Sequence, residues 1–145
     1  MKIGVVHGPN LGQLGIREPE IYGRTTLADI NGSLAALAGE LGVELETVQS
    51  NHEGDLLDFI HGMRPDVEGF LVNAGAFTHT SVALRDGLVG SGRPFVEVHL
   101  TNTAAREDFR HHSFLAGAAV GVVAGFGPDS YLLGLQGLVS LLRER

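Results

Sequence analysis

Five short apolar runs alternate with helical patterns along this chain, and that alternation restricts the possible folds more than any other feature. The runs lie at Lys2–Val6, Val43–Val48, Gly69–Val72, Pro94–Val98 and Ala118–Ala124, each closed by Gly, Asn, Ser or His, as strands are. Between them, apolar residues return with helical spacing over Leu27–Leu41 (Leu27, Ile30, Leu34, Leu37, Leu41), over Glu53–Met63, and over Ser81–Val89 behind a Thr/Ser cap. A weaker pattern starts near Ala105, and the last helix is expected from about Ser130 to Arg143. Strands this continuously apolar must be covered on both faces, so the expected architecture is an α/β/α three-layer sandwich around a five-stranded parallel sheet. With 145 residues and 43% hydrophobic content, one core can be buried and a second domain of ordinary size cannot, so 1–145 is read as a single catalytic or binding domain.

Composition removes several classes of function. No cysteine is present, which excludes disulfides, thiolate metal sites and sulfur redox chemistry, and leaves His, Asp and Glu as the only metal-ligand types. A formal charge of −7 offers no basic stripe to displace phosphate counterions, so general nucleic-acid binding is not expected and capture of an anion must be local. The apolar run in MKIGVVHGPN stops at His7, too short for a signal peptide or a membrane span, and a cytoplasmic location is expected. The terminal Arg143-Glu144-Arg145 reads as a solvated helix end.

In open parallel sheets, ligands sit beyond the carboxyl ends of the strands, near the point where strand order reverses. The segments so placed are His7 to Tyr22, Asn73 to Thr80 and His99 to Arg110. The first is the most unusual, because a stretch from His7 to Thr25 is far longer than the roughly 2 to 6 residues of an ordinary strand-to-helix connection; it reads as a lid or binding loop. Ser50-Asn51-His52 ranks lower, toward the sheet edge if the second strand is outermost. Gly8-Pro9-Asn10-Leu11-Gly12-Gln13-Leu14-Gly15 is glycine-rich after a strand, yet it is neither G-x-G-x-x-G nor a P-loop, and Gln49 and Ser50 stand where a ribose-binding acid would be. A metal reading rests on Glu97 and His99, two apart on one strand face, with His79 or His111-His112 as further ligands. For His52, His61 and His111 a structural or surface role is the simpler reading.

Two pairs carry a mechanism that needs no cofactor. A tyrosine is a poor base near neutrality, but a guanidinium brought close by the same loop favours the phenolate, so Arg17 could make Tyr22 a general base. The competing reading packs the Tyr22 ring on the domain and pairs Arg17 with Glu18 or Glu20. His99, held by Glu97, suits general-acid work on a departing hydroxyl. Arg110, and less directly Arg106, could clamp a carboxylate.

Six blocks in order extend this reading: GPNLGQLGIREPEIYG (Gly8 to Gly23), QSNHEGDLLDFIH (Gln49 to His61), NAGAFTHTSVALRD (Asn73 to Asp86), VEVHLTN (Val96 to Asn102), REDFRHHS (Arg106 to Ser113) and GFGPDSYLL (Gly125 to Leu133). Over essentially its whole length the chain resembles the type II 3-dehydroquinate dehydratases. The resemblance implies a flavodoxin-like sheet of order 2-1-3-4-5, a dodecamer built from trimers, and cofactor-free, metal-free dehydration of 3-dehydroquinate to 3-dehydroshikimate by anti elimination through an enolate. It implies Tyr22 as the proton acceptor, Arg17 as the group stabilising the phenolate, His99 as the acid, Glu97 as the residue orienting it, and Asn10 at the enolate. Asn73, His79, the Leu100-Thr101 backbone and Arg110 would bind substrate, and Asp86 would reach the site of a neighbouring subunit. Two positions depart from the family pattern: His7, where asparagine is more common, and Thr101, where serine is. A non-catalytic flavodoxin-like module binding a small anion or nucleotide is the alternative, and it would have no need of Tyr22 with Arg17.

Overall fold

A computed structural model describes residues 1–16 and 18–145, the side chain of Tyr22 aside. Five parallel strands, β1 (Lys2–His7), β2 (Glu44–Gln49), β3 (Gly69–Asn73), β4 (Phe95–His99) and β5 (Gly121–Ala124), form one sheet in the order β2-β1-β3-β4-β5. Helices α2 (Leu27–Leu41) and α5 (Asp129–Arg143) cover one face; α3 (Glu53–Met63) and α4 (Val82–Gly90) cover the other. A single four-residue turn of helix, α1 (Pro19–Tyr22), lies in the loop after β1, with Pro19 at its first position, where no intrahelical N–H is required.

The alternation of side chains along the strands divides the core in two. Ile3, Val5, Leu71, Val96 and Val98 pack with Ile30, Leu34, Tyr131, Leu135 and Leu138 on one side. Val6, Phe70, Val72 and Phe95 pack with Leu56, Ile60, Leu84 and Leu88 on the other. Each fully buried aliphatic or Phe side chain here stabilises the fold by roughly 1.5–3 kcal/mol relative to exposure. Two helices start at side-chain caps: Thr26 and Asp29 form a reciprocal capping box on α2, and the Ser81 hydroxyl accepts from Leu84 N–H at 2.8 Å on α4.

The expected elements differ from the observed ones mainly in two places. The helix expected near Ala105 is not formed; two 3-10 turns, Thr103–Ala105 and Asp108–Arg110, stand there with Arg106 extended between them. The Arg106 carbonyl that a helix would offer to Arg110 N–H instead accepts from His111 Nε2 at 2.8 Å, and Arg110 N–H closes on Glu107 O. The fifth strand begins at Gly121 rather than Ala118, because Ala118 and Ala119 N–H both turn back to Leu115 O. Among the described residues no helix is long and apolar enough to cross a membrane.

The strand order reverses between β1 and β3: from β1 the chain crosses outward to β2, and from β3 it proceeds the other way to β4 and β5. Loops leaving the carboxyl ends of β1 and β3 therefore diverge, and a crevice opens between them.

Candidate active site

Close contact between these two loops fixes the crevice floor. Gly8 N–H donates to Asn73 O at 2.8 Å, and a Cβ on Gly8 would sit 2.2 Å from Ala74 O, so only glycine fits. Gly75, at φ +58°, meets Pro9 from the other side, where a Cβ would lie 3.0 Å from Pro9 O. Asn10 turns the β1 loop at φ 68°, a left-handed conformation asparagine tolerates better than most residues. Its N–H donates to Asn51 Oδ1 at 2.9 Å, and Gln49 Nε2 donates to Gly8 O at 3.2 Å. The segment after β2, ranked low from sequence, thus braces the β1 loop from the sheet edge.

Glu97 and His99 sit on the α3/α4 face of β4, both almost fully buried. His99 Nε2–H donates to Glu97 Oε2 at 2.7 Å, and the second oxygen accepts from Ser113 Oγ at 2.6 Å. Ser113 is fixed in turn, its oxygen accepting from the Leu115 and Ala116 N–H groups, each at 3.0 Å. This anchoring leaves Nδ1 as the His99 nitrogen able to exchange a proton. His79 lies nearly parallel to His99, ring centroids 6.5 Å apart and 16° between planes, and its Nδ1–H donates to His112 O at 2.8 Å. The carboxylate and imidazole that the metal reading required are turned to each other rather than to a shared cation position.

On the opposite face of the sheet, the side chains of His7 and Asn73 meet Tyr131. His7 Nδ1 is 2.8 Å from Tyr131 Oη and Nε2 is 2.9 Å from Asn31 Oδ1, while Asn73 Nδ2 donates to Tyr131 Oη at 3.0 Å. Burial pushes the His7 imidazole down to about 4, against the opposing hydrogen bond that His7 donates to Asn31; burial likewise raises the Tyr131 phenol well above its ordinary range.

Arg110 closes the outer wall. Its Nε donates to Glu107 Oε1 at 3.1 Å, and Arg106 Nε is 3.6 Å from the same oxygen. The Glu107 carboxyl is held below the usual carboxylate range by its own backbone N–H and then by Arg110. Two guanidinium groups are thus gathered on one carboxylate at the outer mouth of the crevice, which Glu18 also lines.

Of the residues expected from sequence, Asn10, Asn73, His79, His99, Leu100, Thr101 and Arg110 line one crevice, with Glu97 directly behind His99. Asp86 does not join them; it is exposed on α4, outside this chain's own crevice. Arg17 and the Tyr22 side chain lie outside the described residues; Glu18 and Ile21, their neighbours in sequence, flank the outer mouth with Arg106 and Arg110. Ser113, Tyr131 and Asn31 were not legible as site residues. Ser113 stands beside two histidines with no spacing that marks it, and Tyr131 falls on the apolar stripe of α5, where an aromatic side chain reads as core.

Known proteins share this chain's sequence pattern and fold. The family model described as "Dehydroquinase class II" matches residues 1–139. A 3-dehydroquinate dehydratase of Synechococcus sp. is 56% identical over 144 residues, covering 99% of both chains. Crystal structures described as type II dehydroquinase superimpose closely: that from Butyrivibrio crossotus with a TM-score of 0.93 at 37% identity, covering 95% of this chain and 97% of the other, and that from Propionibacterium acnes with 0.91 at 41%, covering 96% of each. With the family model spanning nearly the whole chain and relatives at this identity, the chain belongs to the class II dehydroquinase family.

Proposed function

We propose that the chain, acting as a single catalytic domain, is a hydro-lyase that dehydrates 3-dehydroquinate to 3-dehydroshikimate. The reaction removes a proton from the carbon alpha to the ketone and a hydroxide from the adjacent carbon; the hydroxyl leaves as water once protonated. The observation that carries the reading is His99, lining the crevice with one nitrogen held by Glu97 at 2.7 Å and the other left to serve as acid. A buried acid locked by a carboxylate, opposite a loop that carries Arg17 and Tyr22, fits a reaction that needs a base and an acid on opposite faces of a ring.

In this reading Tyr22, as phenolate beside Arg17, takes the alpha proton, and the electron pair moves onto the ketone oxygen as an enolate. Asn10, directly or through a water molecule, stabilises that oxygen. The enolate collapses, the carbon–oxygen bond at the adjacent carbon breaks, and His99 delivers its proton to the departing oxygen. Asn73, His79 and the Leu100-Thr101 backbone bind hydroxyl and carboxylate oxygens, and Arg110 supplies charge at the mouth. Thr101 keeps both the N–H and the hydroxyl that serine would supply at its position. The active form is a homo-oligomer, a dodecamer of trimers, in which Asp86 from one chain completes the site of another; the exposed placement of Asp86 on α4 suits such a role. No metal or coenzyme takes part, and the enzyme works in the cytoplasm. Purified protein is tested by following the conjugated enone formed from 3-dehydroquinate in the ultraviolet, with and without a chelator.

A further inference from the structure

We propose that His7 and Tyr131 are positioning residues for this reaction and act through Asn73, as a one-way hydrogen-bond chain that sets the orientation of the Asn73 amide. The inference rests on the reading of Asn73 as a substrate-binding residue, and it concerns two residues for which neither the family blocks nor the crevice lining suggests a role.

Each link in the chain determines the next. Gly75 N–H can only donate, so the Asn73 atom 3.1 Å from it is the acceptor Oδ1, and the amide cannot flip without losing that bond. Asn73 Nδ2 then faces Tyr131 Oη and must donate to it. The phenol proton is left for His7 Nδ1, which is therefore unprotonated, and Nε2–H donates to Asn31 Oδ1 on α2. The direction runs unbroken from the backbone of the site loop to helix α2, which covers this face of the sheet. One N–H of Asn73 remains to address a ligand in the crevice that this residue lines with His99 and Leu100.

The chain is costly and packing does not require it. His7 and Tyr131 are wholly buried and Asn73 is 3% exposed, so three polar side chains are desolvated where a Phe and a Leu would fill similar space. A polar path through the core that ends on a crevice residue is explained by what it does to that residue. Burial also keeps His7 neutral through the neutral range, which preserves the acceptor that the phenol needs.

Steady-state kinetics on the full chain test this with Tyr131→Phe, His7→Leu and His7→Asn, each alone and in an Asn73→Ala background. Losing the chain is expected to raise KM about tenfold in Tyr131→Phe while kcat stays within about threefold, the size of one hydrogen bond to a ligand. In the Asn73→Ala background the same substitution should leave KM unchanged; if turnover there is too slow, dissociation constants for 3-dehydroshikimate serve for the comparison. His7→Asn, whose amide oxygen can stand where imidazole Nδ1 stood, should recover most of what His7→Leu loses. Equal KM factors in the two backgrounds, or an unchanged KM in Tyr131→Phe, would overturn the proposal, and so would His7→Asn as impaired as His7→Leu. Wild-type protein without turnover would instead remove the underlying reading of the reaction, so the two failures are distinct.

Discussion

Taking a single oxygen from Tyr22 separates binding from chemistry. Tyr22→Phe should lower kcat by roughly 10²–10⁴, the usual range for a general base, while product still binds; near-normal kcat would remove the base assignment. His7 gives a prediction about stability rather than rate. Its folded value of about 4 lies below the unfolded value of 6.5, so between these limits the unfolded chain binds more protons, and stability falls as pH drops from about 6.5 to about 4. The contribution is about 3 kcal/mol over that window, seen as a decline in Tm that His7→Asn should flatten; equal declines in both proteins would contradict it. Residue types with an evident chemical use, such as His99 beside Glu97 or Arg110, were legible in sequence. Ser113 and Tyr131 were not, because what makes them matter is a partner brought near from a distant part of the chain, Glu97 for one and His7 with Asn73 for the other.

At the scale of elements, the crevice depends on how closely two loops approach. Gly8→Ala places a Cβ 2.2 Å from Ala74 O, and the backbone must move to relieve it. A loss of about 2–3 kcal/mol in denaturant unfolding is expected, together with a fall in kcat, since the loop carrying Asn10, Arg17 and Tyr22 shifts with it. Unchanged stability and rate would show that the contact is not needed. The helices over Leu27–Leu41 and Glu53–Met63 were legible to the residue from their apolar stripes, the first supported also by the Thr26–Asp29 capping box. The helix expected near Ala105 failed because its apolar content is thin and His111 takes the Arg106 carbonyl that would have carried it. Short strands shifted by one to three residues at their ends, where backbone hydrogen bonding and not hydrophobic pattern decides the boundary.

For the whole molecule, sheet order follows from physical rules only in part. The alternation of apolar strands and helices requires a parallel, doubly covered sheet, whereas the order β2-β1-β3-β4-β5 came from family resemblance and is what puts the β1 and β3 loops side by side. Assembly is expected on the same indirect ground. If Asp86 completes a neighbour's site, sedimentation should find a particle of many 15.3 kDa chains, and dissociating it should abolish turnover in step; a fully active monomer would contradict this. The central claim is that a phenolate base and a carboxylate-held imidazole expel water from 3-dehydroquinate unaided. The most direct test is the ultraviolet rise of the conjugated enone, followed in chelator-treated wild type and in Tyr22→Phe. The account predicts a full rise in the first and essentially none in the second. A wild type silenced by the chelator, or a Tyr22→Phe variant that matches the wild type, would contradict it.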